Sequence, residues 1–378
     1  MPAIREEKEE RELLDLAPYA VKSRDSKGRR HAESPDPFRT CFERDRDRVI
    51  HCAAFRRLEA KTQVVVLPES DYPRTRLTHT LEVGQVARSI ATALRLNEHF
   101  VEVLALAHDL GHPPFGHAGE DVLKRKMAAH GGFAHNRQGL RIVDVLEKRH
   151  PAYDGLNLSF ETRESLLKHE AQDVPERAEF GVRRQAFLEA QVVDLADSTA
   201  YDHHDLDDGL REGAFAESDL EKLTLWRRAR AAADKETPGL SGKMRIRRTT
   251  NALIGILIGD ITLTSAAHLK EAGFRSADEA RQAPSPTIGH SQEIAAEVAE
   301  LEDFLFRSFY RHWRINRATS RAKRMVGELF DAFTANTTLL PPEFQARCEV
   351  DGAPRAVCDY IAGMTDRYCR DEHRSVLG

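Results

Sequence analysis

The chain has 378 residues and a formal net charge of -5, from 56 lysine and arginine residues against 61 aspartate and glutamate residues. This balance excludes a globally basic surface of the kind that attracts nucleic acid or an anionic membrane, but it does not exclude a local basic pocket. The five cysteines have no C-x-x-C spacing and indicate neither a disulfide framework nor a cysteine zinc site.

The amino-terminal segment, residues 1–35, is polar. Its first sixteen residues are mostly charged and lack the apolar core of a signal peptide, so we expect a soluble, cytoplasmic protein. The stretch KSRDSKGRRHAESPDP offers almost nothing to bury, and we expect the segment to be loosely ordered. After it, VIHCAAFRRL has the apolar spacing of a helix that packs on one side.

A short strand pattern, TQVVVLPESDYPRT over residues 62–75, predicts a small β-hairpin. Helical periodicity dominates the rest of the chain. The predicted helices cover 77–96, 99–110, 118–129, 136–148, 161–170, 183–206, 216–270, 290–333 and 354–369. We therefore predict an all-α fold, a multihelix bundle with a carboxy-terminal helical extension.

Two of the apolar helices carry a histidine on the face that points toward the core. In RLTHTLEVGQVARSI, His79 shares this face with Val83; in VEVLALAHDLG, His108 shares it with Leu104, and Asp109 follows directly. Taken singly, each histidine could be a hydrogen-bonded core residue, and Asp109 could face water at the helix end. A carboxylate buried there would need a cation beside it.

A third helical segment, EAQVVDLADSTAYDHHDLDDGL, places Asp197 among apolar neighbours, although acidic residues there could also form a solvated face. Two histidines and two carboxylates from three helices can converge inside a bundle, as they do in helical metal sites. Mixed nitrogen and oxygen ligands with open positions favour Mn²⁺, Fe²⁺, Co²⁺ or Mg²⁺ over a closed structural zinc site. We predict that His79, His108, Asp109 and Asp197 bind such an ion.

The order His79, His108-Asp109 and Asp197 resembles the H…HD…D pattern of the HD-domain phosphohydrolases. The chain is similar to the bacterial dGTPase-like branch of the deoxynucleoside triphosphate triphosphohydrolases, which is related to the mammalian sterile-alpha-motif HD dNTPase. The resemblance runs from about residue 38 to 368. It is carried in order by RDRVIHCAAFRRLEAKTQV, RTRLTHTLEV, ALAHDLGHPPFGHAGE, HNRQGLRI, HDLDDGL and YIAGMTDRY.

The resemblance implies an HD-domain, phosphodiesterase-like bundle in two parts. The catalytic core would cover 36–215, and a carboxy-terminal region over 216–378 would complete the substrate pocket and the oligomer contacts. The implied activity is metal-dependent hydrolysis of a dNTP, dGTP or a broader set, to a deoxynucleoside and inorganic triphosphate.

The resemblance also assigns residues to the substrate. Arg76 matches the phosphate-binding arginine of the family, while Gln63, Tyr201 and Asp205 match positions that enclose the deoxyribose and its 3′-hydroxyl. One departure is Ser198, which stands where the mammalian relative carries a phosphate-contacting lysine. Phosphate charge would then be met by other groups, such as those of the basic segment KMRIRRTTN.

The leaving 5′-oxygen needs a proton, and histidine is the side chain whose pKa suits that task near neutrality. We expect His117 or His112 to supply it, with Glu120 and His135 holding the histidines in the right charge state. The alternative for the first two histidines is a structural role, in which they repair the hydrogen bonding of a proline-containing loop.

The resemblance implies further partners. Arg56, Arg57 and Lys61 match a region that binds a regulatory nucleotide between subunits in some relatives, with a solvated basic face as the alternative. The family forms homo-oligomers from dimer to hexamer, and some relatives bind single-stranded DNA. No membrane partner is expected, because the run NALIGILIGDITL is interrupted by Asp260 and is too short to span a bilayer.

Two other functions would share the same ligands. One is another HD phosphohydrolase, either a 5′-deoxynucleotidase or a cyclic-nucleotide phosphodiesterase. The other is a nucleotide-sensing or single-stranded-DNA-binding HD protein with little catalysis. The flanking motifs favour the dNTP triphosphohydrolase over both.

Overall fold

The computed structural model describes residues 4–63, 74–167, 170–171 and 174–378. Within these ranges the chain forms helices and isolated β-bridges but no sheet, which confirms the predicted all-α class. The hairpin predicted over 62–75 lies mostly outside the described residues. At its two ends, Thr62 and Thr75 form an antiparallel bridge.

The amino-terminal segment differs from the prediction that residues 1–35 are loosely ordered. It begins with helix α1 (Ile4–Asp15), and the chain beyond this helix is tied to the bundle. Val21 N donates a hydrogen bond to the buried Glu189 carboxylate at 2.9 Å, and Asn97 Nδ2 donates to Val21 O at 3.0 Å. Composition missed this order because it depends on long-range polar contacts rather than on apolar content.

The first half of the chain supplies the helices that carry the predicted site. These helices are α2 (Cys41–His51), α3 (Ala53–Arg57), α4 (Arg76–Ala93), α5 (Glu98–Ala107), α6 (His117–Lys126), α7 (His135–Arg141), α8 (Phe160–Leu166) and α9 (Leu188–Arg211). Short 3-10 turns lie at Ser23–Asp25, Leu58–Ala60 and Pro175–Phe180, and a π-helical turn lies at Ile142–Leu146.

The second half breaks the long predicted helices into shorter ones. They are α10 (Glu217–Leu220), α11 (Thr224–Glu236), α12 (Gly242–Ala272), α13 (Ala277–Ala280), α14 (Gln292–Leu305), α15 (Trp313–Ala335), α16 (Pro342–Asp351), α17 (Ala353–Ala362) and α18 (Asp366–Leu377). A π-helical turn, Phe306–Tyr310, separates α14 from α15, and Thr337–Leu339 forms a 3-10 turn. The break after α11 follows from Pro238 and from Gly239, which has a φ of 82°.

Three apolar clusters hold the helices together. The first joins α2, α4, α5 and α9 to Ile261 and Leu269 of α12. The second packs α6 against α15 and α17, and the third is built mainly from α11, α12 and α14. Each cluster contains residues from both sides of residue 215, so the two predicted regions share their cores.

Helix α12 is the one described helix that is long and apolar enough to cross a membrane by length and composition. It extends well beyond the short apolar run that the sequence suggested. Leu253, Leu257 and Ile261 are buried on one face, against the bundle. Core helices pass the same test of length and composition, so this feature is weak support for a membrane span.

Candidate metal centre and active site

Helix α4 places Arg76 and His79 on one buried face. Thr75 caps the helix: its hydroxyl accepts a hydrogen bond from Thr78 N at 3.3 Å, and Thr78 Oγ1 accepts one from Thr75 N at 3.2 Å. Arg76 and His79 lie about one turn apart and are 2% and 0% exposed. The capped first turn therefore fixes both side chains inside the bundle.

His108 and Asp109 follow directly after the carboxyl end of helix α5. Asn97 caps its start, because Oδ1 accepts a hydrogen bond from Phe100 N at 3.2 Å. His108 Nδ1 lies 2.6 Å from Ala105 O, and since a carbonyl only accepts, this ring nitrogen must carry the proton. The bond leaves Nε2 as the atom that can bind a metal.

The four predicted metal ligands lie together where α4, α5 and α9 meet. His79 Nε2 is 2.8 Å from Asp197 Oδ1, and His108 Nε2 is 3.6 Å from the same oxygen. Asp109 Oδ1 lies 3.4 Å from His108 Nε2. One ligand atom each of His79, His108 and Asp197 falls within 4.8 Å of the others, the spacing of a group that can hold one ion.

Two residues behind His79 orient its ring. His204, on α9, faces it with an Nδ1–Nδ1 distance of 3.4 Å, while His204 Nε2 contacts the Glu82 carboxylate. Burial lowers the pKa of His204 to about 4, so its ring is neutral. We infer that Glu82 accepts the Nε2 proton and His204 Nδ1 accepts the proton of His79, which leaves His79 Nε2 unprotonated. Partners of this kind usually orient metal-binding histidines.

Both aspartates of the cluster are ionised. Burial by itself raises the pKa of a carboxyl group. The charges of Arg76, His108 and His112 outweigh it and hold the pKa of Asp109 well below its usual range. His108 and His79 have the same effect on the pKa of Asp197. Two carboxylates and two imidazole nitrogens form a mixed oxygen and nitrogen set, which fits a divalent metal ion.

Arg76 links this cluster to Gln63 through hydrogen bonds. Nη1 donates to Asp109 Oδ2 at 2.8 Å, and Nη2 donates to Gln63 O at 3.3 Å. Gly116, with a φ of 55°, leaves room for the guanidinium, because a Cβ there would lie 2.8 Å from Nη2. Arg76 and Gln63, both predicted to contact substrate, are thus buried at the edge of the metal cluster and bonded to each other.

The loop before α6 brings His112 against the cluster. Its Nδ1 lies 3.0 Å from Asp109 Oδ1, and its ring stacks on His135 with centroids 3.9 Å apart. Gly111 permits this approach, because a Cβ there would lie 1.9 Å from His135 O. Burial and the charges of Arg76 and His135 hold the pKa of His112 well below its usual range.

His117 and Glu120 lie one turn apart at the start of α6. His117 Nδ1 is 3.5 Å from Glu120 Oε2, and the His117 side chain is 66% exposed. His135 donates to Glu120 Oε1 from its backbone N at 2.9 Å, and its Nδ1 lies 2.8 Å from the same oxygen. Despite burial, hydrogen bonds from His117 and His135 lower the pKa of Glu120 strongly. The four predicted acid–base residues therefore form one row, of which His117 is the exposed end.

Tyr201 and Asp205 lie one turn apart on α9, beyond the metal ligand of that helix. The ring of Tyr310 stacks on Tyr201 with centroids 6.3 Å apart, and its hydroxyl donates to Asp205. Burial and the charges of Asp202 and Asp208 raise the pKa of Asp205 well above its usual range. Asp205 is therefore a neutral acid, which can donate as well as accept a hydrogen bond.

Two residues of the site, Tyr310 and Glu82, were not singled out from the sequence. Tyr310 lies in the π-helical turn before α15, more than a hundred residues from its partner Asp205. Glu82 and His204 support the ring of His79. Glu82 comes three residues after His79 on a predicted helix, and this spacing was the one available signal.

The basic residues near α3 differ in their exposure to solvent. Arg56 and Arg57 are exposed, but Lys61 is 2% exposed. Lys61 Nζ donates to His112 O at 2.6 Å and to Ala362 O at 2.9 Å. The prediction that Lys61 shares a surface site with the two arginines is therefore wrong, because its charge is used inside the protein.

Asp366, at the start of α18, makes further buried hydrogen bonds beside those of Lys61. We refer to the hydrogen bonds of Lys61 and Asp366 together as the clamp. Asp366 accepts hydrogen bonds from Thr62 through both N and Oγ1, and from Phe115 N at 2.9 Å. Phe115 has a φ of 63°, a strained value for a side chain of this size. Lys61 and Asp366 thus connect the loop before α6, residues 108–116, to the carboxy-terminal helices. We call this segment the histidine loop.

Two of the four basic residues in the alternative source of phosphate-binding charge are paired with carboxylates. Ser198 is exposed on α9. In the segment 243–251, Arg245 pairs with Asp234, and Arg248 Nη2 lies 2.7 Å from a Glu236 oxygen. These arginines fasten the start of α12 to α11.

Comparison with known proteins agrees with this geometry. The HD domain family matches residues 76–202, which contain all four predicted metal ligands, and the phosphohydrolase-associated domain family matches residues 288–375. A deoxyguanosinetriphosphate triphosphohydrolase-like protein of Ralstonia nicotianae is 49% identical over 96% of this chain and 94% of its own. The chain belongs to the deoxyguanosinetriphosphate triphosphohydrolase-like family. It is a hydrolase of the HD class.

Other members of the dGTPase-like family are similar over the same length. The protein so named in Thiobacillus denitrificans is 48% identical over 96% of this chain and 97% of its own. That of Geobacter metallireducens is 45% identical over 97% of this chain and 96% of its own. These matches cover the carboxy-terminal helices as well as the HD domain, so the clamp at Asp366 lies inside the shared region.

Proposed function

We propose that the chain is a metal-dependent dNTP triphosphohydrolase that converts dGTP, or a broader set of dNTPs, to the deoxynucleoside and inorganic triphosphate. The observation that carries this proposal is the 3.0 Å contact between Asp109 Oδ1 and His112 Nδ1. It joins a four-residue metal cluster to a row of acid–base residues in one site. The names of the relatives support the nucleotide as substrate.

The metal cluster fits one catalytic ion. An Mn²⁺, Mg²⁺, Co²⁺ or Fe²⁺ ion held by His79, His108, Asp109 and Asp197 would supply Lewis-acid polarisation of the α-phosphate and orientation of a water molecule. The ionised aspartates would bind it, and the tautomers set by Ala105 and His204 would present an unprotonated nitrogen of each imidazole to it.

The remaining residues handle charge and protons. Arg76 lies beside the cluster, where its fixed positive charge opposes the negative charge that develops on the phosphate oxygens. As the water oxygen bonds to the α-phosphorus, the bond to O5′ breaks and O5′ takes a proton. We assign this proton to His117, whose side chain is exposed and contacts Glu120. His112 and His135 hold the row in position.

The pocket beyond the metal suits a deoxyribose. Tyr201 would lie against the C2′ edge of the sugar and exclude a 2′-hydroxyl by crowding. The neutral Asp205 would bond the 3′-hydroxyl, and Gln63 would close the opposite side. The stacking of Tyr310 on Tyr201 supports this assignment, because it holds the excluding ring in place.

Regulation and assembly are proposed from the same family assignment. We propose a cytoplasmic homo-oligomer, from dimer to hexamer, without a membrane partner. The exposed Arg56 and Arg57 are the residues that we propose for a regulatory nucleotide.

Single-stranded DNA is a second candidate ligand, and one surface favours it. Around the start of α15, the guanidinium of Arg311 lies 4.6 Å from the Phe306 ring and that of Arg317 lies 4.7 Å from the Trp313 ring. Both aromatic residues are exposed. Exposed rings with cations suit single strands, whose bases stack and whose phosphates need charge. Binding that weakens steeply with salt and is lost in Trp313→Ala would support it, and binding unchanged in that variant would contradict it.

The product assay tests the proposal. Metal-loaded protein is incubated with each dNTP, alone and in pairs, and nucleoside and triphosphate are separated by chromatography. Equal amounts of deoxynucleoside and triphosphate support the proposal, and stimulation in a pair supports a regulatory nucleotide. Orthophosphate from a dNMP, opening of a cyclic nucleotide, or DNA binding without dNTP turnover would replace it with one of the other functions.

A further inference from the structure

A second group of metal ligands lies beside the cluster that contains His79. One ligand atom each of His112, His117 and Glu120 falls within 4.8 Å of the others. His117 and Glu120 share a face of α6, three residues apart, and His112 reaches them from the preceding loop. We propose that these three residues bind a second ion, Zn²⁺ in preference to Mn²⁺ or Mg²⁺, and that this ion inhibits the enzyme.

Two of the three ligands are already oriented by other residues. The Nδ1 edge of His112 faces Asp109 Oδ1 at 3.0 Å, so Nε2 lies on the opposite edge of the ring. Imidazoles that bind metals usually hold a carboxylate with their second nitrogen in this way. Glu120 divides its oxygens: Oε1 is bonded by His135, and Oε2 faces His117.

The third ligand has the freedom to complete the site. Tetrahedral Zn²⁺ with Zn–N distances of about 2.0–2.1 Å places its ligand atoms roughly 3.4 Å apart. The His117 to Glu120 distance of 3.5 Å already matches this spacing. Closing the rest of the cluster needs a movement of about 1 Å. The His117 side chain is 66% exposed and can make that movement without repacking the core.

The ligand set favours zinc and a separate ion. Two histidines and one glutamate, with an open position, are a known zinc-binding combination, whereas the first cluster has two carboxylates and suits harder ions. The ring of His112 stands between Asp109 and the second ligand group. The two ions would therefore lie on opposite sides of an imidazole, rather than share the bridging position of a two-metal site with ions about 3.5–4 Å apart.

Inhibition follows from the nitrogen that zinc would occupy. Zinc bound at His117 Nδ1, the nitrogen that faces Glu120, would replace the proton there. The ring could then not become an imidazolium, and its Nε2 proton would be a much weaker acid toward O5′. This half of the inference rests on the proposed function, because it assumes that His117 is the general acid. The binding half rests only on the three ligands.

The test counts ions and measures turnover in the same preparations. Metal-free protein is titrated with Zn²⁺ against a chromogenic chelator. Wild type should bind two equivalents, His117→Ala should lose the second only, and Asp197→Ala should lose the first only. His51→Ala, a change at an exposed histidine on α2, is the matched control and should bind two. Circular dichroism checks that each variant is folded.

Turnover separates the two halves. With Mn²⁺ held constant, hydrolysis of dGTP should fall at least tenfold when Zn²⁺ fills the second site, and half of this loss should occur at the concentration that half-fills the site in the titration. A single equivalent in wild type, or two in folded His117→Ala, overturns the binding half. Full turnover with both sites filled overturns the inhibitory half. Two bound ions without dNTP turnover at any metal concentration would instead reject the proposed function and keep the site.

Discussion

His112 Nδ1 lies 3.0 Å from Asp109 Oδ1, and this contact joins the metal cluster to the acid–base row. Asp109 also accepts a hydrogen bond from Arg76, so one carboxylate contacts His108, a predicted metal ligand, Arg76, the proposed phosphate-binding arginine, and the first histidine of the row. Because all three contacts converge on a buried group, a shift of Asp109 would disturb the whole site.

Removal of the general acid should strongly lower turnover without loss of the catalytic ion. His117→Ala should lower kcat by about 100- to 10,000-fold, because the leaving O5′ then lacks a proton donor. Steady-state kinetics with dGTP, together with metal analysis by mass spectrometry, checks both parts. Normal turnover, or loss of the catalytic ion, would remove His117 from its role.

Tyr201 should govern the choice between dNTP and ribonucleotide. Tyr201→Ala opens space at the C2′ edge, and the preference for dGTP over GTP should fall by roughly 10- to 100-fold. Tyr201→Phe keeps the ring and should keep the preference. Equal selectivity in wild type and the alanine variant would show that another group excludes the 2′-hydroxyl.

Loss of the internal lysine should affect both stability and rate. Lys61→Met leaves the carbonyls of His112 and Ala362 without their buried donor, which should lower the free energy of unfolding by about 1–3 kcal/mol. The histidine loop should lose its position, so kcat should fall while bound metal is retained. Urea denaturation and kinetics measure both effects, with Arg56→Met, an exposed basic residue nearby, as the control. A fully stable, fully active Lys61→Met protein would contradict the clamp.

Stability should depend on pH through Glu189. Burial raises the pKa of this carboxyl to about 7 from an ordinary value of 4.5. The folded protein therefore holds the proton more tightly than the unfolded chain, and this contribution is full below about pH 4.5 and is lost as pH rises through 7. The loss amounts to up to about 3 kcal/mol. Glu189→Gln should remove this pH dependence and be the more stable form at pH 8.

The comparison for Glu189 is the difference in free energy of unfolding between wild type and Glu189→Gln, from urea melts at pH 5 and pH 8. Other titrating groups affect both proteins and cancel in the difference. A difference that is the same at both pH values would show that Glu189 is ionised throughout.

Sequence patterns predicted the parts of the site that helices present locally. The helical spacing of His79 with Val83 aims the histidine inward, and the apolar face of α5 does the same for His108. Such patterns depend on neighbours within a few residues, which the sequence displays directly. The all-α class follows from the same periodicity.

The parts that sequence patterns missed depend on long-range contacts. Tyr310, in the turn between α14 and α15, donates a hydrogen bond to Asp205 on α9. Asp366 accepts one from Phe115, which lies 251 residues earlier in the chain. Lys61 looked like a surface residue because its charge resembles that of Arg56. Only the packing of α17 against the histidine loop makes it internal.

Attack of water on the α-phosphorus at this metal cluster can be tested directly with an isotope experiment. Metal-loaded wild-type protein is incubated with dGTP in ¹⁸O-labelled water, and the masses of the products are measured by mass spectrometry. Asp197→Ala is the inactive control. We expect one ¹⁸O atom in the inorganic triphosphate and none in the deoxyguanosine. Label in the nucleoside, orthophosphate or pyrophosphate as the first product, or equal turnover by Asp197→Ala would contradict this mechanism.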